Sequence, residues 1–235
     1  ALADIDKAEQ HPALAEKLNA QVPAVLAQAA RGAGAQLIHI STDAVFDGTR
    51  GDYRETDEPN PISVYARTKL AGERAVLAAY PQAAAARVNF YGWSPIGQRS
   101  LAEFFYTHLR SEHTVNGFTD VFFSPLYVGH LAEILLKMAE QRLEGLYHVF
   151  CPQATSKYAF GVSVARLFGL DESLINPVAL QELQTGTLRS LNLSMNTDKL
   201  QAALDEPLPG EADGLQAFHA DWQAGLPDRL VASIA

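Results

Sequence analysis

The chain has 235 residues, 48% hydrophobic and 19% charged, with a formal net charge of −9. That length supports one good core with a smaller lobe, and the acidity argues against nucleic acid or an anionic membrane as partner. Cys151 stands alone and the seven His are scattered outside any metal-ligand spacing, which excludes an internal disulfide, fits a cytoplasmic setting and assigns no metal site.

Residues 4–9 read as a loop, and 12–33 as a long helix with Pro12 in its first turn. Leu14, Leu18, Val22, Val25, Leu26 and Ala29 mark an apolar face. Pro23 falls inside this helix and must bend it or lengthen one turn. The Ala-rich stretch suits close packing on a sheet, or on a second copy of the chain in a homodimer. Gly32 and Gly34 follow a helix and precede a strand, the order of a helix stop rather than of a phosphate cradle. Residues 36–40 then read as a buried parallel strand ending in the hydroxyls Ser41 and Thr42. Residues 43–60 form a loop rich in Asp, Gly and Pro, where Asp43 and Asp47 cap turns and Phe46 packs.

A helix over 61–79 carries Tyr65 and Lys69, with Glu73 one turn further as a surface partner for the lysine. A strand over 84–89 follows, then a loop, then a helix over 101–109. Residues 114–128 read as extended with a turn at Asn116–Gly117. A helix over 128–140 precedes a strand over 145–150, in which His148 alternates with apolar neighbours as a core histidine. An amphipathic helix over 157–168 and a last helix with Phe218 and Trp222 close the chain. No apolar run approaches membrane-spanning length, and the opening residues do not read as a signal peptide.

The chemistry concentrates in one stretch. Tyr65 and Lys69 lie one helical turn apart, on one face. A fixed cation beside a phenol favours the phenolate, so the pair suits proton exchange near neutral pH, with a strand-end hydroxyl to hold a substrate oxygen. Eight Tyr and six Lys would give about 0.2 such pairs by chance, so the spacing alone also admits a half-buried tyrosine and a solvated lysine.

The surrounding residues carry more. S-T-D-A-V-F-D-G, followed by E-x-D-x-P-N-P-x-S-V-Y-x-R-x-K-L-x-G-E, resembles the extended short-chain dehydrogenase/reductase superfamily, and within it the dTDP-4-dehydrorhamnose reductase (RmlD-like) family. The resemblance is dense from Asp4 to about Asn89 and thinner to about Leu200. It implies an α/β fold: the C-terminal portion of a Rossmann-type doubly wound parallel sheet plus a small substrate-binding lobe. Residues 1–150 would form a partial NAD(P)-binding domain, and 151–235 the lobe, joined by segments around 91–127. A-L-A-D-I-D-K-A-E matches the family segment after its fourth strand, and no strand leads into G-x-x-G-x-x-G. The chain therefore reads as lacking the glycine-rich first βαβ units.

The resemblance further implies NADP or NAD as cofactor, a nucleotide sugar as substrate, and reduction of its keto group. Thr42, Tyr65 and Lys69 map to the catalytic set. Ala1, Ser41, Tyr65, Lys69 and Phe90 fall at cofactor-binding positions, and Asn89 and Arg189 at substrate-binding ones. The segment 187–200 departs from the family pattern, with Ser190 in place of a proline and Leu193 in place of a serine, and Phe122–Phe123 stand where a small or polar residue is usual. A second reading comes from the regulatory subunit of methionine adenosyltransferase, which resembles the same family: a non-catalytic member that works by binding a partner.

Overall fold

The computed structural model describes residues 1–182 and 190–233. They divide into two units, one from Ala1–Val88, Ile134–Val149 and Leu188–Pro207, the other from Asn89–Glu133, Phe150–Thr187 and Leu208–Ala235.

In the first unit, Asp4 converts the expected opening loop into a helix. Its carboxylate accepts from the Lys7 amide at 3.0 Å, an N-cap that starts α1 (Ile5–Gln10). Pro12 opens α2 (Pro12–Glu16), where its missing amide proton costs nothing. A π turn over Lys17–Gln21 then runs into α3 (Val22–Gly32). That widened turn accommodates Pro23, which has no proton for the carbonyl of Asn19 and would otherwise clash with it. Gly34 ends the helix at φ +63°, with the Ala35 amide donating back to the Ala30 carbonyl.

The buried face of this helical run is not the one its large side chains suggest. Ala8, Ala15, Asn19, Ala20 and Ala27 are buried, whereas Leu14, Val22, Val25 and Leu26 are exposed. The small residues let the run lie close on α4 (Val64–Ala79), so the Ala-rich face packs on a helix and not on the sheet. Approach is tightest at Gly72, where a Cβ would stand 2.0 Å from the Asn19 carbonyl oxygen.

Helix α4 starts at Ser63, whose hydroxyl accepts from the Ala66 amide at 3.1 Å. It covers a three-stranded parallel sheet ordered β1 (Ile38–Thr42), β2 (Ala84–Val88) and β7 (Gly145–Val149). β1 runs two residues further than the sequence pattern suggests and takes in both hydroxyls. β2, the central strand, is buried throughout and opens with three alanines. From Ile134 on, α6 (Val128–Glu140) belongs to this unit, as does α8 (Asp198–Leu204).

The long loop after β1 is organised by Asp47. Its carboxylate accepts from the Thr49 amide and hydroxyl, from the Tyr53 hydroxyl at 2.7 Å and from the Asn60 amide at 2.9 Å. The chain from Ser190 to Asn196 lies along the loop and bonds it: the Asn192 amide to the Gly48 carbonyl, Tyr53 to Ser194, and Asn196 to Tyr53.

The second unit is built on rings. Tyr91, Phe105, Tyr106, Phe123, Tyr127, Phe160 and Phe218 share one buried cluster, and Trp93 stacks on Phe218 with centroids 4.1 Å apart. Its strands are short pairs: β3 (Phe90–Tyr91) parallel to β6 (Leu126–Tyr127), β4 (Val115–Phe118) parallel to β9 (Ile175–Val178), and β5 (Phe122–Phe123) antiparallel to β8 (Thr155–Ser156). The expected turn at Asn116–Gly117 is absent, because both residues lie inside β4. Gly117 serves close packing instead, since a Cβ there would stand 2.9 Å from Tyr158 Cα and Ile175 Cγ2. The helices are α5 (Leu101–Arg110), opened by a Ser100–Glu103 capping box, α7 (Lys157–Leu167), α9 (Glu211–Gln223) and α10 (Leu226–Ala232). Among the described residues no helix is long and apolar enough to cross a membrane.

Candidate active site

The site assembles where β1 ends. Thr42 is the last residue of the strand, and its buried hydroxyl accepts from the Ala44 amide at 3.2 Å, which fixes the turn that follows. The same hydroxyl donates to Asp43 Oδ1 at 3.1 Å, and it stands close enough to the Tyr65 phenol to act on its titration. With its proton directed to the Asp43 carboxylate, the Thr42 hydroxyl has its lone pairs left to accept. Tyr65 stands in the first turn of α4, which Ser63 caps, so the helix start and the strand end hold the two hydroxyls together.

Lys69 follows one turn later and is only 6% exposed. Its Nζ donates to the Ile40 carbonyl at 2.5 Å. The electrostatics differ from those the spacing suggests. Burial pushes the Tyr65 phenol above its ordinary value, Asp43 pushes it further, and the Thr42 hydroxyl acts the other way. Burial lowers Lys69 from its ordinary value, and Glu73 opposes that loss. At neutral pH Tyr65 therefore carries its proton, the form a general acid needs.

Two further polar atoms lie on β1. Ser41 Oγ and His39 Nε2 are buried and have no hydrogen-bond partner among the described residues. Burial, aided by the Lys69 charge, lowers His39 to a pKa of about 4, so its ring is neutral. Buried polar atoms without partners are costly.

The remaining candidates are less closely gathered. Ala1 is exposed, and the chain is anchored one residue later, where the Leu2 backbone exchanges hydrogen bonds with the Asn19 side chain at 2.7 and 3.1 Å. Asn89 and Phe90 follow β2 directly but belong to the second unit. The Asn89 carbonyl accepts from the Leu126 amide, and Phe90 is 50% exposed. Arg189 lies outside the described residues.

Two residues that support the site, Asn19 and Arg87, escaped the sequence reading, and a third, Glu73, was placed wrongly. Asn19 donates to Thr68 Oγ1 at 3.0 Å and so ties the π turn to the helix of Tyr65 and Lys69. Arg87, buried on β2, donates to both carboxylate oxygens of Glu73, at 2.7 and 3.0 Å. Glu73 is thus a core residue and not a surface partner for Lys69. The available signal was Arg87 itself, a lone cation closing the run A-A-A-A-R-V, which is anomalous in a buried strand unless an anion meets it.

Residues 1–223 match the family model described as the RmlD substrate binding domain. The chain belongs to the RmlD family. Relatives within reach include the dTDP-4-dehydrorhamnose reductase of Mycobacterium tuberculosis, 38% identical over 197 residues, 81% of this chain and 64% of that protein. Methionine adenosyltransferase 2 subunit beta of Xenopus tropicalis is 34% identical over 203 residues, 83% of this chain and 60% of that protein. The chain thus spans less than two thirds of the length of either relative. The crystal structure of dTDP-4-dehydrorhamnose reductase from Bacillus anthracis in complex with NADP superposes with a TM-score of 0.87 at 26% identity, over 94% of this chain and 78% of that one. The fold is accordingly α/β and Rossmann-type, built on a parallel sheet.

Proposed function

We propose that this RmlD-family chain serves an NAD(P)H-dependent reductase that acts on a keto group of a nucleotide-activated sugar, of the dTDP-4-dehydrorhamnose kind. The observation that carries the reading is the meeting of Thr42 and Tyr65 at the C-terminal end of β1, where the Thr42 hydroxyl acts on the Tyr65 phenol, with buried Lys69 one turn away. Strand ends of this kind are where open α/β sheets bind ligands. NADPH or NADH, when bound, would supply the hydride and leave as NADP⁺ or NAD⁺. Tyr65, held protonated by its burial, gives its proton to the substrate carbonyl oxygen, and Thr42 orients that oxygen. Lys69 and Ser41 are the residues that would hold polar groups of the cofactor, Lys69 through its positive charge. We assign Asn89 and Arg189 to substrate binding and Phe90 to cofactor binding, and the reductase relatives support the substrate class.

The test is turnover of dTDP-4-dehydrorhamnose with NADPH by protein carrying this chain. Removing a positioned general acid costs about 10²–10⁴-fold in rate, so Tyr65→Phe should lower kcat by that factor with the circular dichroism spectrum unchanged. Near-normal turnover in that variant would remove Tyr65 from the mechanism. The second reading, a non-catalytic binding subunit, is favoured by the identity to methionine adenosyltransferase 2 subunit beta. It predicts no turnover in either form, together with unchanged binding of a protein partner by Tyr65→Phe.

A further inference from the structure

We propose that Glu73 is a positioning residue for Lys69: clamped by Arg87 onto the central strand, its carboxylate fixes α4 over the sheet and supplies the buried counter-charge that keeps Lys69 an ammonium on the Ile40 carbonyl. The inference deepens the reductase reading and rests on it only for the use of that ammonium in the reaction.

Lys69 and Glu73 are one turn apart on α4, so their side chains leave the helix on the same face. Both are buried, Glu73 at 3% exposure, and Arg87 at 2%. The Arg87 fork occupies both carboxylate oxygens, Nε to Oε2 at 3.0 Å and Nη2 to Oε1 at 2.7 Å. Glu73 therefore acts on Lys69 through its field and through the placement of the helix, not through a direct ion pair.

The third guanidinium nitrogen explains why the fork does not turn. Arg87 Nη1 lies 3.3 Å from His148 Nε2, and His148 Nδ1 lies 3.1 and 3.2 Å from the carbonyls of Tyr53 and Asn196. Carbonyls only accept, so Nδ1 carries the proton and Nε2 offers its lone pair to Arg87. Burial and the Arg87 charge lower His148 to a pKa of about 3, which keeps the ring neutral. Arg87 also lies over the Phe46 ring, 5.0 Å from its centroid.

Stability does not account for this arrangement, because a buried ion pair is often no better than apolar residues of similar volume. A role beside Lys69 does. From β1, His39 is neutral and brings no charge to Lys69. Asp43, in the turn after β1, acts on Tyr65. Glu73 is the anion whose charge opposes the loss of the Lys69 proton.

The test uses the whole chain labelled with ¹³C at the lysine Cε, in which Lys69 is one of six lysines and is assigned by its loss in Lys69→Arg. Glu73→Gln should move the Lys69 titration down by about one pH unit or more. Because that variant leaves Arg87 without its anion and threatens folding, Glu73→Gln/Arg87→Met removes both charges and should still move the titration down, by less than Glu73→Gln because the Arg87 cation is lost with it. Glu73→Asp, which keeps the carboxylate, should return the titration toward the parent. A folded double variant in which Lys69 titrates as in the parent overturns the proposal. If the titration moves as expected but Lys69→Met still reduces substrate at the parent rate, the reductase assignment fails while the pairing of Glu73 with Lys69 stands.

Discussion

The two units solve the problem of a core in opposite ways. The first has a central strand of small alanines and places an Arg–Glu–His network directly beneath its site helix. The second fills its centre with phenyl, phenol and indole rings that meet edge to face, with Tyr91 5.1 Å from Phe160 and 5.7 Å from Phe218. Ring packing is forgiving in register, because its energy depends on area and on broadly favourable ring angles. A bidentate ion pair has one good geometry. The unit that must hold Thr42, Tyr65 and Lys69 in place therefore uses the directional interaction, and the other uses area.

The contrast breaks most sharply at the ion pair. Glu73→Ala should cost about 3–5 kcal/mol, since it strands a buried guanidinium. Glu73→Met/Arg87→Met should recover most of that loss, because neither charge remains. Phe160→Ala in the second unit should also cost about 3–5 kcal/mol, but as a cavity that no second change at a neighbour repairs. Urea midpoints of the four proteins check this. A double variant no more stable than Glu73→Ala would mean that the pair contributes through packing, and the contrast would vanish.

A smaller effect separates the two units at their helix glycines. A Cβ on Gly72 would meet the Asn19 backbone oxygen at 2.0 Å, in a π turn that the Asn19 side chain ties to Leu2 and Thr68. A Cβ on Gly161 would meet the Phe105 ring, 2.5 Å from Cε1. Overpacking of this kind costs about 1–3 kcal/mol, and alanine returns up to about 1 kcal/mol of helix propensity at either site. Backbone yields less than a ring, so Gly72→Ala should lie at the upper end and Gly161→Ala near or below the lower. The reverse order in thermal unfolding would show that the π turn gives way more easily than the aromatic core.

The same contrast explains what could be read from the sequence. Local signals were legible: the strand end with its hydroxyls, the Tyr65–Lys69 helix, the Gly34 stop and the core position of His148 all follow from spacing and turn chemistry. The long helix 12–33 was legible as a helix but not in its orientation. Large aliphatic side chains marked one face, yet the demand for close approach at Gly72 selected the alanine face. Asn116–Gly117 misled for a related reason, since a glycine required by Tyr158 in space looks like a turn glycine in sequence. Arg87 alone signalled that an anion must meet it, but its partners Glu73 and His148 could not be named, because the three stand on α4, β2 and β7 and only the sheet brings them together.

The most gradual effect is the pH dependence of that network, and His148 isolates it. The unfolded histidine has a pKa near 6.5 and the folded one about 3. Between those values the unfolded chain binds a proton that the folded chain refuses, so stability rises with pH through the window and is lost as pH falls below 6.5. Each pH unit within the window removes at most about 1.4 kcal/mol, and from pH 7 to pH 5 the loss from this one group comes to about 2 kcal/mol. Arg87 facing Nε2 is the charge that resists protonation, while Asp57 acts weakly in the other direction. Glu55 holds the His148 amide at 2.9 Å and keeps the strand in place. His148→Gln retains an acceptor for Arg87 and a donor for the carbonyls but does not titrate. Other groups with lowered values, His39 among them, are common to both proteins and cancel in the difference. The stability gap between parent and His148→Gln should therefore narrow by about 2 kcal/mol between pH 7 and pH 5. A gap that stays constant over that range would mean that His148 is protonated in the folded chain, and Arg87 would then need a different third partner.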